Sequence, residues 1–181
     1  MPWKNGGGET AEIAIAPPGA KLEDFDWRVS MARVDGDGPF SSFPGVERTL
    51  TVLTGAGMRL RVAGREAVDL SPDSEPYAFS ADVATGAELL GGPITDFNVM
   101  TRRGRVAHRV ERMSQSTIVT SPAHGRPTLV FCIAGQLLAR CPTGTCVVGP
   151  LDSLLVGPED EAVRIAPDPG ASFLLVEIGA T

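Results

Sequence analysis

The chain has 181 residues, of which 43% are hydrophobic, enough to bury the core of one large domain or two small ones. Its net charge of −6, from 16 basic and 22 acidic residues, argues against nucleic acid and anionic lipid as partners. With only two histidines, a metal site built from several imidazoles is nearly excluded.

Met1 to Thr10 is polar and glycine-rich and lacks the apolar core of a signal peptide. No apolar run approaches the roughly 20 residues of a spanning helix. Cys132, Cys141 and Cys146 are odd in number and do not form a Cys-x-x-Cys pattern, which suits free thiols in a reducing compartment. The cytoplasm is the expected location, and no membrane partner is expected.

Glycine and proline supply 21 and 15 residues, and breakers at that density favour short strands and turns over long helices. Strand signals run through the chain in order: 12–16, 27–34, 48–54, 58–62, 68–70, 77–79, 87–90, 94–101 and 106–113. The C-terminal part adds 128–134, 136–139, 153–156, 162–165 and 173–178. In 27–34, Trp27, Val29 and Met31 alternate with Arg28, Ser30 and Ala32. Gly55-Ala-Gly57 joins two strand runs as a hairpin turn. At most one short helix fits between these runs, so the chain is expected to be all-β.

An internal echo supports two related halves. RTLTVLTG, ending at Gly55, resembles TLVFCIAG, ending at Gly135, and DFNVM from Asp96 resembles SFLLVEI from Ser172. Between the halves the chain breaks somewhere from Met113 to Pro127.

Three segments carry candidate chemistry. Pro2-Trp-Lys-Asn-Gly-Gly-Gly-Glu-Thr10 has three consecutive glycines, which cost conformational entropy if ordered and allow close backbone approach. It lacks the Lys-Ser/Thr sequel of a phosphate-binding loop. A flexible terminus is the bland alternative, but Trp3 is a costly residue for a tail. In 27–34, Arg28 and Ser30 share a face that is either solvated or turned into a barrel interior able to hold a small ligand. In 94–102, Asp96, Asn98, Met100 and Arg102 alternate onto one face, a mixed polar set unusual for a plain core strand. Phe40 and Phe43 are expected as loop aromatics near a barrel mouth. The Gly-x-Ser-x-Gly elbow is absent, and His108 and His124 show no pairing that points to a catalytic or metal site.

Together, Pro2-Trp-Lys-Asn-Gly-Gly-Gly8, Phe25-Asp-Trp-Arg-Val-Ser-Met-Ala32, Asp37-Gly-Pro-Phe-Ser41, Phe43-Pro-Gly45, Asp96-Phe-Asn-Val-Met100 and Arg102-Arg-Gly104 resemble the HutD/Ves family. The resemblance is densest over residues 2–104 and implies a bicupin, two jelly-roll (double-stranded β-helix) barrels of the RmlC-like type in one chain. The corresponding division is residues 1–113 for a first barrel with the pocket and 114–181 for a second, completed by strands from the N-terminal part. Family members have no established catalytic activity and are regarded as accessory or regulatory, some beside histidine-degradation genes. The usual cupin metal is held by a His-x-His pair, and this sequence has none, so neither a metal nor another cofactor is expected.

Carried onto this chain, the motifs imply a pocket in the first barrel. Lys4, Arg28 and Arg48 would supply cationic donors, Asn5, Ser30 and Asn98 would orient the guest, and Trp3 and Met100 would form apolar walls. Gly6 and Gly7 would let the segment cover it. Arginine forks match a carboxylate, so the expected partner is a small anionic metabolite from histidine degradation, such as urocanate or a formylated glutamate. A binding protein is expected rather than an enzyme. The alternatives are a metal-free isomerase- or epimerase-like acid–base enzyme using Lys4 or Asp96, and a non-catalytic scaffold whose edge strands pair into a homodimer.

Overall fold

The structure, a computed structural model, describes residues 8–120 and 127–179. Among them every regular element is a strand. The first nine are β1 (Gly8–Ala16), β2 (Trp27–Val34), β3 (Gly38–Pro39), β4 (Val46–Thr54), β5 (Met58–Val62), β6 (Val68–Leu70), β7 (Tyr77–Ser80), β8 (Thr85–Leu89) and β9 (Ile94–Arg102). The rest are β10 (Ala107–Met113), β11 (Thr117–Val119), β12 (Thr128–Ala134), β13 (Leu137–Cys141), β14 (Gly144–Val148), β15 (Ser153–Val156), β16 (Val163–Pro167) and β17 (Ser172–Gly179). No helix among the described residues is long and apolar enough to cross a membrane.

The chain divides after Val106 into two compact units. Since β10 pairs along its length with β17, it belongs to the second unit. The division at Met113 expected from the sequence leaves β10 in the N-terminal part, from which strands were expected to complete the second barrel.

The first unit has two sheets, in the orders β1-β2-β9-β4-β7 and β3-β8-β5-β6. In the second the orders are β10-β17-β12-β15 and β11-β16-β13-β14. With β1 set aside as an added edge strand, each unit's last strand lies between its first and its third, the wrapping of an eight-stranded jelly roll. The two orders superpose strand for strand, β2 on β10 through β9 on β17. The all-β bicupin architecture expected from the sequence is therefore the observed one.

The echo has a structural counterpart. β4 carries a bulge between Val52 and Thr54 against β9, and β12 carries one between Cys132 and Ala134 against β17. Behind each bulge a glycine takes a left-handed turn: φ is +94° at Gly55 and +76° at Gly135. A Cβ at Gly55 would lie 2.6 Å from the Pro93 carbonyl oxygen, and one at Gly135 would lie 2.8 Å from Ala171 Cα. Both glycines are thus wedged against the backbone that leads into the last strand of their own roll. Register matches Val52 with Asp96 and Cys132 with Phe173, so Asp96 is equivalent to Phe173, one residue beyond the match suggested by the sequence echo.

The interior of the first roll is apolar at one end, where Val34, Leu50, Val52, Met58, Leu60 and Ile94 cluster. The second is filled by Val130, Cys132, Leu137, Ile165 and Phe173. Both faces of the central strands β2, β4 and β9 are largely buried. Short β3, β11 and the exposed edge strand β14 were not visible in the sequence.

Substituting Gly55→Ala or Gly135→Ala should destabilise the protein by on the order of 2 kcal/mol or more, because backbone must move in either roll. Gly64→Ala, with positive φ but nothing within 4 Å of its Cβ, should cost about 1 kcal/mol. Urea unfolding of the three variants checks this.

Candidate functional site in the first barrel

Period-two alternation and register place one polar set inside the first roll. Arg28 on β2, Met100 on β9 and Arg48 on β4 lie side by side. The next row is Ser30, Asn98 and Leu50, and the row beyond it is Ala32, Asp96 and Val52. These residues share the face that carries Leu50, Val52 and Ile94 of the core. The face of β2 bearing Arg28 and Ser30 is therefore the interior one, as the resemblance implied, and Trp27 and Val29 lie on the other, also buried.

Two arginines anchor the set. Arg28 is 5% exposed. Its Nε donates to Glu12 Oε2 at 2.8 Å and its Nη1 to Ser30 Oγ at 3.3 Å. Glu12 sits on β1 just before a bulge, opposite Ser30, and its side chain is 40% exposed. Arg48 is partly buried, and its Nε and Nη2 both donate to Asn98 Oδ1, at 2.8 and 2.5 Å. Its guanidinium carbon lies 4.5 Å from the Phe40 ring centroid and 5.7 Å from that of Phe79, within cation–π range. Burial lowers the pKa of Arg48, the negative Asp96 opposes this, and Arg28 adds to the lowering. A guanidinium stays charged through such a shift.

Asn98 completes a relay, since its Nδ2 donates to Asp96 Oδ1 at 2.7 Å. Asp96 is 1% exposed. Burial pushes its carboxyl up from 3.8 to about 6, against the opposing pull of Arg48, the Asn98 amide and the Ala32 backbone N–H. Solvent reaches the set at Glu12, Arg48 and Phe40, none of which is buried.

The second roll shows that the fold does not require this polarity. The positions of Asp96, Asn98 and Met100 are filled there by Phe173, Leu175 and Glu177, and those of Arg48 and Ser30 by Thr128 and Glu111. Phe173 is fully buried. Arg109, at the place of Arg28, pairs instead with the neighbouring Glu111.

Of the residues expected at the site, the structure brings together Arg28, Ser30, Arg48, Asn98 and Met100. Trp3, Lys4, Asn5, Gly6 and Gly7 lie outside the described residues, as does His124. Glu12 and Phe79 were not placed at the site from sequence, Phe40 was expected only as a loop aromatic near a barrel mouth, and Asp96 was seen on the right face as an acid–base candidate without its bond to Asn98. The signal for Asp96 was its alternation with Asn98. Glu12 gave none, because the bulge after it interrupts the alternation of β1. His108 is half-buried opposite Ile178 in the second unit. No cluster of three or more metal-binding side chains occurs among the described residues.

These features define a double jelly roll of cupin type whose first barrel has a polar, hydrogen-bonded interior built on two arginines. The HutD family profile matches residues 1–173, and the chain belongs to that family. It is 38% identical over 148 residues to Protein Ves of Citrobacter koseri, covering 80% of this chain and 75% of that one. It is 44% identical over 111 residues to an uncharacterised 21.2 kDa protein in the hutC 3' region of Pseudomonas putida. That match covers 61% of this chain and 57% of the P. putida protein.

Solved structures agree. A conserved protein of unknown function from Pseudomonas aeruginosa PAO1 has a TM-score of 0.87 at 32% identity, covering 99% of this chain and 93% of that one. HutD from Pseudomonas fluorescens SBW25, in a formate condition, has a TM-score of 0.83 at 34% identity, covering 100% and 93%. A cupin 2 conserved barrel protein from Leptotrichia buccalis, at 9% identity and a TM-score of 0.60, shares the fold.

The raised Asp96 carboxyl sets a pH dependence of stability. The folded chain holds this proton more tightly than the unfolded chain, so its contribution is full below the ordinary carboxyl range and fades as pH rises through about 6. A rise from 3.8 to about 6 corresponds to about 3 kcal/mol. Asp96→Asn removes the titration. Between pH 5 and 8 the wild type should therefore lose roughly 1.4 kcal/mol more stability than Asp96→Asn, read by denaturant unfolding at each pH.

Proposed function

We propose that the chain is a non-catalytic accessory protein of the histidine-utilisation type that binds a small carboxylate metabolite inside its first barrel without a metal. The observation that carries this reading is the pair of guanidiniums, Arg28 and Arg48, on either side of Met100 in one row of the interior. Arginine forks present parallel donors that match a carboxylate, and inside a barrel such bonds are shorter and stronger than in water. Arg28 already holds one carboxylate, that of Glu12. The rings of Phe40 and Phe79 contact the Arg48 guanidinium without consuming hydrogen-bond donors.

Family membership supports the biological setting. One relative lies in a hutC 3' region and a solved relative is HutD. Urocanate and N-formylglutamate have the required carboxylates, and formate is the smallest probe of the same chemistry. Lys4 and Asn5 are proposed as further donors from the N-terminal segment, with Trp3 as an apolar wall over the guest.

Titration calorimetry with formate, urocanate and N-formylglutamate tests the reading. At least one should bind at millimolar concentration or tighter. Arg28→Ala and Arg48→Ala should each weaken it by roughly tenfold or more, the scale of one charge-assisted hydrogen bond. No heat from any of the three acids, or affinity unchanged in both variants, would contradict it.

A further inference from the structure

We propose that Asp96 is the positioning residue of this anion site: through the Asn98 amide it orients Arg48, and it takes up a proton when a carboxylate binds. The inference rests on reading the first barrel as an anion site and adds how that site is regulated.

The relay is directional. Asn98 presents its Nδ2 to Asp96 and its Oδ1 to Arg48, and an amide bonded this way has one orientation, because a carboxylate accepts and a guanidinium only donates. Arg48 is thereby held with Nε and Nη2 turned to β9. Asp96 lies one row deeper than Asn98, beside Ala32 and Val52.

Few charges face Asp96. From β4 comes Arg48, from β2 Arg28, and from β1 Glu12, which is bonded to Arg28. Tyr77 and Phe79 of β7 lie opposite Leu50 and Arg48. The opposing sheet offers Met58, Leu60 and Val62 of β5, Leu70 of β6, and Thr85 and Ala87 of β8, none of which is charged. Within these described residues the ionised groups are two guanidiniums and two carboxylates, which balance.

A guest carboxylate adds a third negative charge to this apolar enclosure. The interior screens charges weakly, so the excess is relieved where protonation is easiest. Asp96, buried and already raised to about 6, is that group, while Glu12 is half open to solvent. The step is the transfer of one proton from solvent to the Asp96 carboxylate, which becomes a neutral acid as the guest anion settles on Arg28 and Arg48. Phe173 at the equivalent place in the second roll shows that the jelly roll alone does not call for an acid there.

The test is calorimetry of formate binding to the full chain between pH 5 and 8, in two buffers of different ionisation enthalpy. Formate has no group that titrates in that interval. The wild type should take up most of one proton per formate at pH 7 and bind roughly fortyfold more weakly at pH 8 than at pH 5.5. Asp96→Asn should bind without proton uptake and with a flat profile, as tightly at pH 8 as the wild type does at pH 5.5. Glu12→Gln should retain the pH dependence. Formate bound by the wild type with a flat profile, or proton uptake persisting in Asp96→Asn, would overturn this inference and leave the anion site standing. Formate bound by neither protein at any pH, with urocanate and N-formylglutamate also silent, would overturn both.

Discussion

The first barrel depends on how two arginines and one buried carboxylate are reconciled with an apolar interior. Removing an ion from water costs several kcal/mol unless partners replace the lost hydration. The structure supplies those partners by register. Asn98, between Ser30 and Leu50, faces Arg48 on one side and Asp96 on the other, and Ser30 and Glu12 satisfy Arg28. Every member is held by a strand rather than a loop, so the geometry is fixed before any guest arrives. Buried polar networks of this kind are tolerated when their members are satisfied.

The duplicated architecture gives an internal control. Both rolls share strand order, the bulge before the hairpin glycine, and the close approach of that glycine to the segment entering the last strand. What stabilises the jelly roll is therefore present twice. The relay of Arg48, Asn98 and Asp96 is present once, and in the other roll Thr128, Leu175 and Phe173 fill the same rows. The difference separates what the fold needs from what a ligand needs, without appeal to other proteins.

Much of the fold was legible because its strands alternate or carry continuous apolar runs, and because Gly55 and Gly135 punctuate the hairpins. The unread strands had no such signal: β3 is two residues long, and β14 exposes most of its side chains. Alternation alone left the direction of Arg28 undecided, since both faces of β2 are buried. Its inward direction follows from pairing with β9, whose partners lie far along the chain. The same long range hid the bonding of Arg48 to Asn98 and of Arg28 to Glu12, which depend on register and on a bulge. Residues 3–7, singled out from the sequence, lie outside the described residues, and their part in the site rests on the family resemblance.

The most direct test of the account is a crystal structure of this chain with formate bound. Formate oxygens within hydrogen-bond distance of both the Arg28 and Arg48 guanidiniums, inside the first barrel and on the side away from Asn98, are the predicted result. Formate confined to the surface or to the second barrel, with the Arg28–Glu12 and Arg48–Asn98 contacts unchanged, would contradict it.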